Sequence, residues 1–179
     1  TKLTKLIQQM IPVILGVLIG LLINSWKESY DENKYLNKAL TAIEQDMRSS
    51  SESLVSVLDS QNVVTDTLYY YSEDESLTLL ELFLKCGGVD GATIKDIAME
   101  FFINDRGDLI DYELISTMAE IKELKQLVNE KFDRLAVYVN DEMYSTSYQA
   151  KEKALILLLD VMETEEQLLK LYSAYFAKH

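Results

Sequence analysis

Asp105, Asp108 and Asp111 recur every three residues with Glu113 close behind, and carboxylates so grouped are the hard oxygen ligands that calcium takes. The run does not fit an EF-hand loop. With Gly107 at the invariant glycine, Arg106 and Phe102 fall where acids are needed. Acids opening the following helix are the reading it favours. Cys86-Gly87-Gly88-Val89-Asp90-Gly91 has the glycine content of a phosphate loop, but no strand pattern precedes it and no Gly-Lys-Ser/Thr follows. The lone Cys86 excludes an intrachain disulfide and reads as a small buried apolar residue. The single histidine, His179, excludes Ser-His-Asp and Cys-His nucleophile systems and every multi-histidine metal site. Carboxylate pairs such as Glu165-Glu166 read as a solvated helix surface. Tyr69-Tyr70-Tyr71 could face a partner or a ligand, and reads as a bundle rim. The chain therefore reads as non-enzymatic, with no catalytic residue, no metal site and no cofactor.

What must position any function is the apolar run from Met10 to Ile23, flanked by Lys2 and Lys5 on one side and Trp26-Lys27-Glu28 on the other. The uncharged stretch Leu6 to Trp26 covers roughly 31 Å as a helix, close to the hydrocarbon thickness of a bilayer. The strictly apolar part is 14 residues, a length that also suits a buried core helix or the h-region of a signal peptide. Ile23-Asn24-Ser25 puts a bulky side chain where a cleavage site wants a small one, so a retained anchor is expected. Trp26 and Tyr30 are suited to the headgroup level where such an anchor leaves the membrane. Pro12 falls early enough in the helix only to kink it.

Lysines flank both ends, but Lys27, Lys34 and Lys38 are interleaved with Glu28, Asp31 and Glu32, while the N-terminal flank has no acid. This predicts the N-terminus inside. The chain as given opens on Thr1 rather than Met, and residues upstream would add to that flank. All 30 acidic residues follow Trp26, and the net charge is −13. That sign argues against nucleic acid and against docking on anionic lipid, both of which want a basic face.

One proline and six glycines, with apolar residues recurring at three and four, predict an all-α chain. Leu36, Leu40, Ile43, Met47, Ser50, Leu54 and Val57 are spaced 4, 3, 4, 3, 4 and 3, a heptad seam interrupted by one serine. No helix breaker lies between Ile23 and Leu58, so one long helix is expected to leave the membrane and continue about 50 Å beyond it. The pattern weakens from Val64 to Glu75. A short helix is predicted from Leu77 to about Cys86, ended by Gly87-Gly88. Thr93 reads as the N-cap of another short helix running through Phe102. From about Asp111 to Met143, Leu114, Met118, Ile121, Leu124, Val128, Phe132, Leu135 and Val139 make one apolar stripe. Leu155, Leu158, Met162, Leu169, Tyr172 and Phe176 make another.

Gly16-x-x-x-Gly20 puts two glycines on one helix face, where a second helix could approach closely in lipid. With the seam below it, the chain is expected to associate through Gly16 and Gly20, and through Leu36, Leu40, Ile43, Met47, Leu54 and Val57.

Ile14 to Glu28, followed by Tyr35-Leu36 and Ile43-Glu44-Gln45-Asp46, resembles a family of small single-span proteins of unknown function found in Bacteroidota. That family's apolar run ends in an Asn-x-Trp-x-Glu block. Thr93 to Ile115 is similar more weakly, and Asn24-Ser25-Trp26 stands where the family usually has Asn-Asn-Trp. The resemblance covers the first 50 residues and implies an inner-membrane anchor carrying an extracytoplasmic helical domain.

The expected organisation is an anchor over 1–26 and a helical extracytoplasmic domain over 27–179. The latter divides into a membrane-proximal helix over 27–62, short helices and loops over 63–110, and a helical hairpin over 111–179. The expected partners are the lipid bilayer and either a second copy or another membrane protein, as part of a bacterial cell-envelope complex. The rival expectation is a sensory ligand-binding ectodomain that signals through a membrane partner.

Overall fold

The computed structural model describes residues 2–106, 109–110 and 112–178, with side chains from residue 10 onward other than 11 and 12. The regular structure in these residues is all α-helical. Helix α1 spans Lys2–Tyr70, α2 Leu79–Lys85, α3 Ile97–Arg106, α4 Tyr112–Asp141 and α5 Tyr148–Lys178. The chain divides within α1 into compact units of residues 1–42 and 43–179. The packed unit thus begins at Ile43, the first fully buried seam residue, rather than just after Trp26.

In the packed unit α1 buries Ile43, Met47, Ser50, Leu54, Leu58, Gln61, Val64 and Leu68. Seven steps cover 25 residues, the pitch of an ordinary α-helix rather than a strict heptad. The buried stripe therefore drifts from Val57, which is only partly covered, to Leu58. It also continues past the expected end of the helix, because Val64 and Leu68 remain in the core after the polar Gln61.

Helices α4 and α5 form an antiparallel hairpin joined at residues 142–147. The expected α4 stripe is present, with Met118, Ile121, Val128 and Leu135 fully in the core. Helix α5 runs antiparallel to α1. Arg48 lies 4.4 Å from the Phe176 ring centroid, Thr65 Oγ1 is 3.5 Å from Met162 Sδ, and Lys151 Nζ is 3.1 Å from the Tyr71 carbonyl oxygen. It is the most enclosed helix of the unit, buried along Ala150, Ala154, Leu158, Val161, Leu168 and Tyr172.

The α2 N-terminus carries a full capping box, with Thr78 Oγ1 accepting from Glu81 N–H and the Glu81 carboxylate accepting from Thr78 N–H. Its other end is a Schellman turn. Gly88 N–H donates to Phe83 O (2.8 Å) and Gly87 N–H to Leu84 O (3.1 Å), with both glycines at positive φ.

The reading of Thr93 as an N-cap is corrected. Residues 93–96 lie outside any helix and α3 starts at Ile97; side chains of α1 hold the segment through its backbone N–H groups. Ser53 Oγ accepts from Thr93 N–H (2.9 Å), Ser50 Oγ from Lys95 N–H (2.8 Å) and Asp46 Oδ2 from Ala98 N–H (3.2 Å). Asp46 thereby caps α3 from another helix.

Candidate functional site

Helix α1 is long and apolar enough near the N-terminus to cross a membrane. Every residue from Val13 to Asp31 is exposed. Nine large aliphatic side chains between Val13 and Ile23 are at least half exposed. Leaving that much apolar surface in water would forgo on the order of 10 kcal/mol, comparable to the whole stability of an ordinary domain. A lipid environment or another helix removes that cost.

Gly16 and Gly20 lie one turn apart within this stretch, and a Cβ added at either would meet nothing of the chain within 4 Å. The close-approach face that the glycines create is therefore open. Trp26 is 82 % exposed and Tyr30 also projects freely, as rings at a headgroup boundary would.

The seam divides in two. Leu36 and Leu40, in the first compact unit, are partly exposed. Ile43, Met47 and Leu54 are fully buried in the second, and Val57 is partly buried there. The chain's own helices cover those three residues, so they form the core of its bundle, while Gly16 and Gly20 stay open.

The irregular segment 89–96 is sandwiched between helices. Gly91 packs so closely on α4 that a Cβ there would come within 3.3 Å of the Phe132 ring. Gln61 Nε2 donates to the Asp90 carbonyl (3.1 Å), and the Ala92 N–H reaches Glu165 Oε1 at 3.4 Å. Beneath this strap lies a polar layer. Glu165, one half of the Glu165-Glu166 pair, is fully buried, and so are Gln61 and Tyr172. Glu165 Oε2, Gln61 Oε1 and the Tyr172 hydroxyl have no hydrogen-bond partner among the described residues. Burial raises the Glu165 pKa, and the adjacent Gln61 amide and the Ala92 N–H pull it back only in part. Burial likewise pushes Tyr172 up to about 12, with the Ser50 hydroxyl opposing and the charges of Asp96 and Asp46 adding to the rise.

Two lysines tie α5 to its neighbours. Lys131 of α4 donates to Asp160 Oδ1 (2.7 Å) and Thr164 Oγ1 (2.8 Å). Lys151 has no exposed surface, and its ammonium donates to the carbonyls of Tyr71 (3.1 Å) and Asp74 (2.5 Å) just past the end of α1, where the helix dipole favours a cation. The signal for these groups was in the sequence. Lys151, Ala154, Leu158, Val161, Glu165, Leu168 and Tyr172 are spaced 3, 4, 3, 4, 3 and 4, so the two charged residues sit in phase with an apolar seam.

A shallow cleft of about 130 Å³ between the start of α4 and the end of α5 is lined by Leu114, Thr117, Leu171 and Tyr175, with the exposed Glu113–Lys178 ion pair (2.6 Å) beside them. Ligand sites are usually several hundred Å³, so this cleft suits water rather than a metabolite. Asp108 and Asp111 of the acidic run lie outside the described residues, and Asp105 ends no closed ligand set that the structure describes. Cys86 is half-buried against the core formed by α1, α2, α4 and α5. No family model, no curated protein and no solved structure matches the chain.

Proposed function

We propose that this is a membrane-anchored, non-enzymatic protein that acts through protein contacts, as a homo-oligomer or as an accessory subunit of a bacterial cell-envelope complex. The observation that carries this reading is the belt of exposed aliphatic side chains from Val13 to Ile23, unbroken by charge and interrupted only by the open Gly16/Gly20 face. Such a face invites a second helix in lipid, where close backbone approach replaces the hydrophobic effect as the source of association. The anchor is proposed to lie in the inner membrane with its N-terminus inside and the acidic helical unit in the periplasm, as the flanking charges suggest.

Crosslinking in intact native membranes tests this reading. Products containing a second copy or one recurrent partner are expected, and they should be lost when Gly16 and Gly20 are both replaced by isoleucine. Uncrosslinked monomer alone would count decisively against it. Single cysteines placed at Ser25 and Ser173 in a chain whose native Cys86 is replaced by serine, and probed with an impermeant maleimide, test the orientation, with labelling expected from outside the inner membrane.

A further inference from the structure

The end of the packed unit where α1 stops is faced with tyrosine and acid. Leu79 N–H donates to the Ser145 carbonyl (3.0 Å) and Leu80 N–H to the Met143 carbonyl (2.8 Å), which draws the α4–α5 connection against the residues that follow α1. Lys151 closes the third side through the carbonyls of Tyr71 and Asp74. Five of the eleven tyrosines gather here: Tyr69, Tyr70, Tyr71, Tyr144 and Tyr148. Tyr69, Tyr70 and Tyr144 expose 75 %, 78 % and 76 % of their surface. By the area a buried ring typically contributes, these three offer roughly 500 Å², the size at which an exposed patch on a monomer marks an interaction site.

The two segments that carry these rings are acidic. Segments 69–76 and 141–148 contain Glu73, Asp74, Glu75, Asp141 and Glu142 and no lysine or arginine. Glu152 adds another carboxylate, accepting from the Tyr148 hydroxyl at 3.1 Å. An ammonium that reaches a ring here shows what the surface accepts: Lys85 Nζ stands 4.5 Å from the Tyr71 centroid, and Tyr70 packs edge-on against that same ring at 4.7 Å. Electron-rich ring faces beside carboxylates attract a cation by two routes at once.

We propose that this tyrosine and carboxylate surface docks a basic segment of a partner protein, one that presents arginine or lysine side chains to the ring faces of Tyr69, Tyr70 and Tyr144. The inference rests on the reading of the chain as a protein that works through contacts, and it names the chemistry of one of them. A second copy is the wrong partner for this surface, since the chain carries −13 and its acids all follow Trp26. An anionic lipid headgroup is repelled for the same reason.

The test uses the full chain in neutral detergent micelles and a fluorescein-labelled oligo-arginine peptide as probe, read by anisotropy. Replacing Tyr69, Tyr70 and Tyr144 together by alanine leaves the net charge unchanged and should weaken binding about tenfold. Tyr144→Ala alone should weaken it by a smaller factor, which keeps the test decisive if the triple variant folds poorly. Tyr112→Ala, at a ring equally exposed elsewhere, should leave binding unchanged. Equal affinity for wild type and the Tyr144 variant would overturn the proposal, because attraction would then come from net charge alone. So would absence of binding, or binding of a chitin-type oligosaccharide in place of the peptide. A lone monomer in native membranes would instead defeat the underlying reading, and membrane crosslinking reports that separately.

Discussion

Replacing Glu165 by glutamine should stabilise the protein, a direction opposite to that of most substitutions at a fully buried site. Glu165 Oε2 and Gln61 Oε1 are both buried acceptors with no donor among the described residues. The Gln61 amide is oriented by its bond to the Asp90 carbonyl, so it cannot turn without breaking that bond. Glu165→Gln removes the buried charge and one unpartnered acceptor while keeping the side-chain shape, and its amide oxygen can still accept from the Ala92 N–H. Relief of an orphaned buried acceptor is worth about 1–3 kcal/mol, so a gain of about 1–3 kcal/mol is expected. That corresponds to a rise in Tm of roughly 3–10 °C for a unit of this size. The pH dependence carries the sign. The Glu165 pKa is raised in the folded chain by burial, so the stability linked to it is fully present below the ordinary value of 4.5 and is lost as pH rises through the folded value. The variant's advantage should therefore be greatest near neutral pH and shrink toward zero near about pH 4, where the wild-type group is protonated. Thermal melts of the full chain in detergent, followed by tyrosine near-ultraviolet circular dichroism, measure both quantities. A lower Tm for the variant at neutral pH, or the same shift at both pH values, would refute the reasoning.

Lys151→Met should destabilise by about 2–4 kcal/mol, because it strips the Tyr71 and Asp74 carbonyls of their donor in a buried setting; denaturant unfolding at fixed detergent concentration measures it. Gly88→Ala puts a side chain at φ +96° in the Schellman turn and should cost about 1–2 kcal/mol, visible as a lower Tm. In a tyrosine absorbance titration one phenol should ionise at about 12, and Tyr172→Phe should remove that step. Because the folded value lies above the ordinary value of 10.0, stability should fall as pH rises from 10.0 to about 12, by about 3 kcal/mol; a melt series over that range checks it.

The α4 stripe was legible because its apolar residues keep a helical period and the helix needs no other information to choose its buried face. The α2 boundaries were legible for a local reason as well, since Gly87-Gly88 ends a helix by its own conformational freedom. The start of α3 was not. Thr93 has the chemistry of a cap, but the segment is held by Ser50, Ser53 and Asp46, far away in sequence, through its backbone N–H groups. The end of α1 was obscured by Gln61, whose amide is accommodated by the strap rather than by water. Glu165 was hidden by its neighbour: two adjacent acids read as surface, whereas the phase with Val161 and Leu168 assigned only one of them to the core. The seam from Ile43 to Leu54 was recognised as apolar and periodic, but its partner is the chain's own bundle, and no spacing rule distinguishes an intramolecular partner from a second copy.

The most direct measurement is the mass of the intact particle purified from native membranes in mild detergent, with identification of everything that co-elutes. The account predicts a mass above that of one 20.5 kDa chain in its micelle, made up by further copies or by one stoichiometric partner. A single chain with nothing bound to it would contradict the claim that this protein acts through contacts.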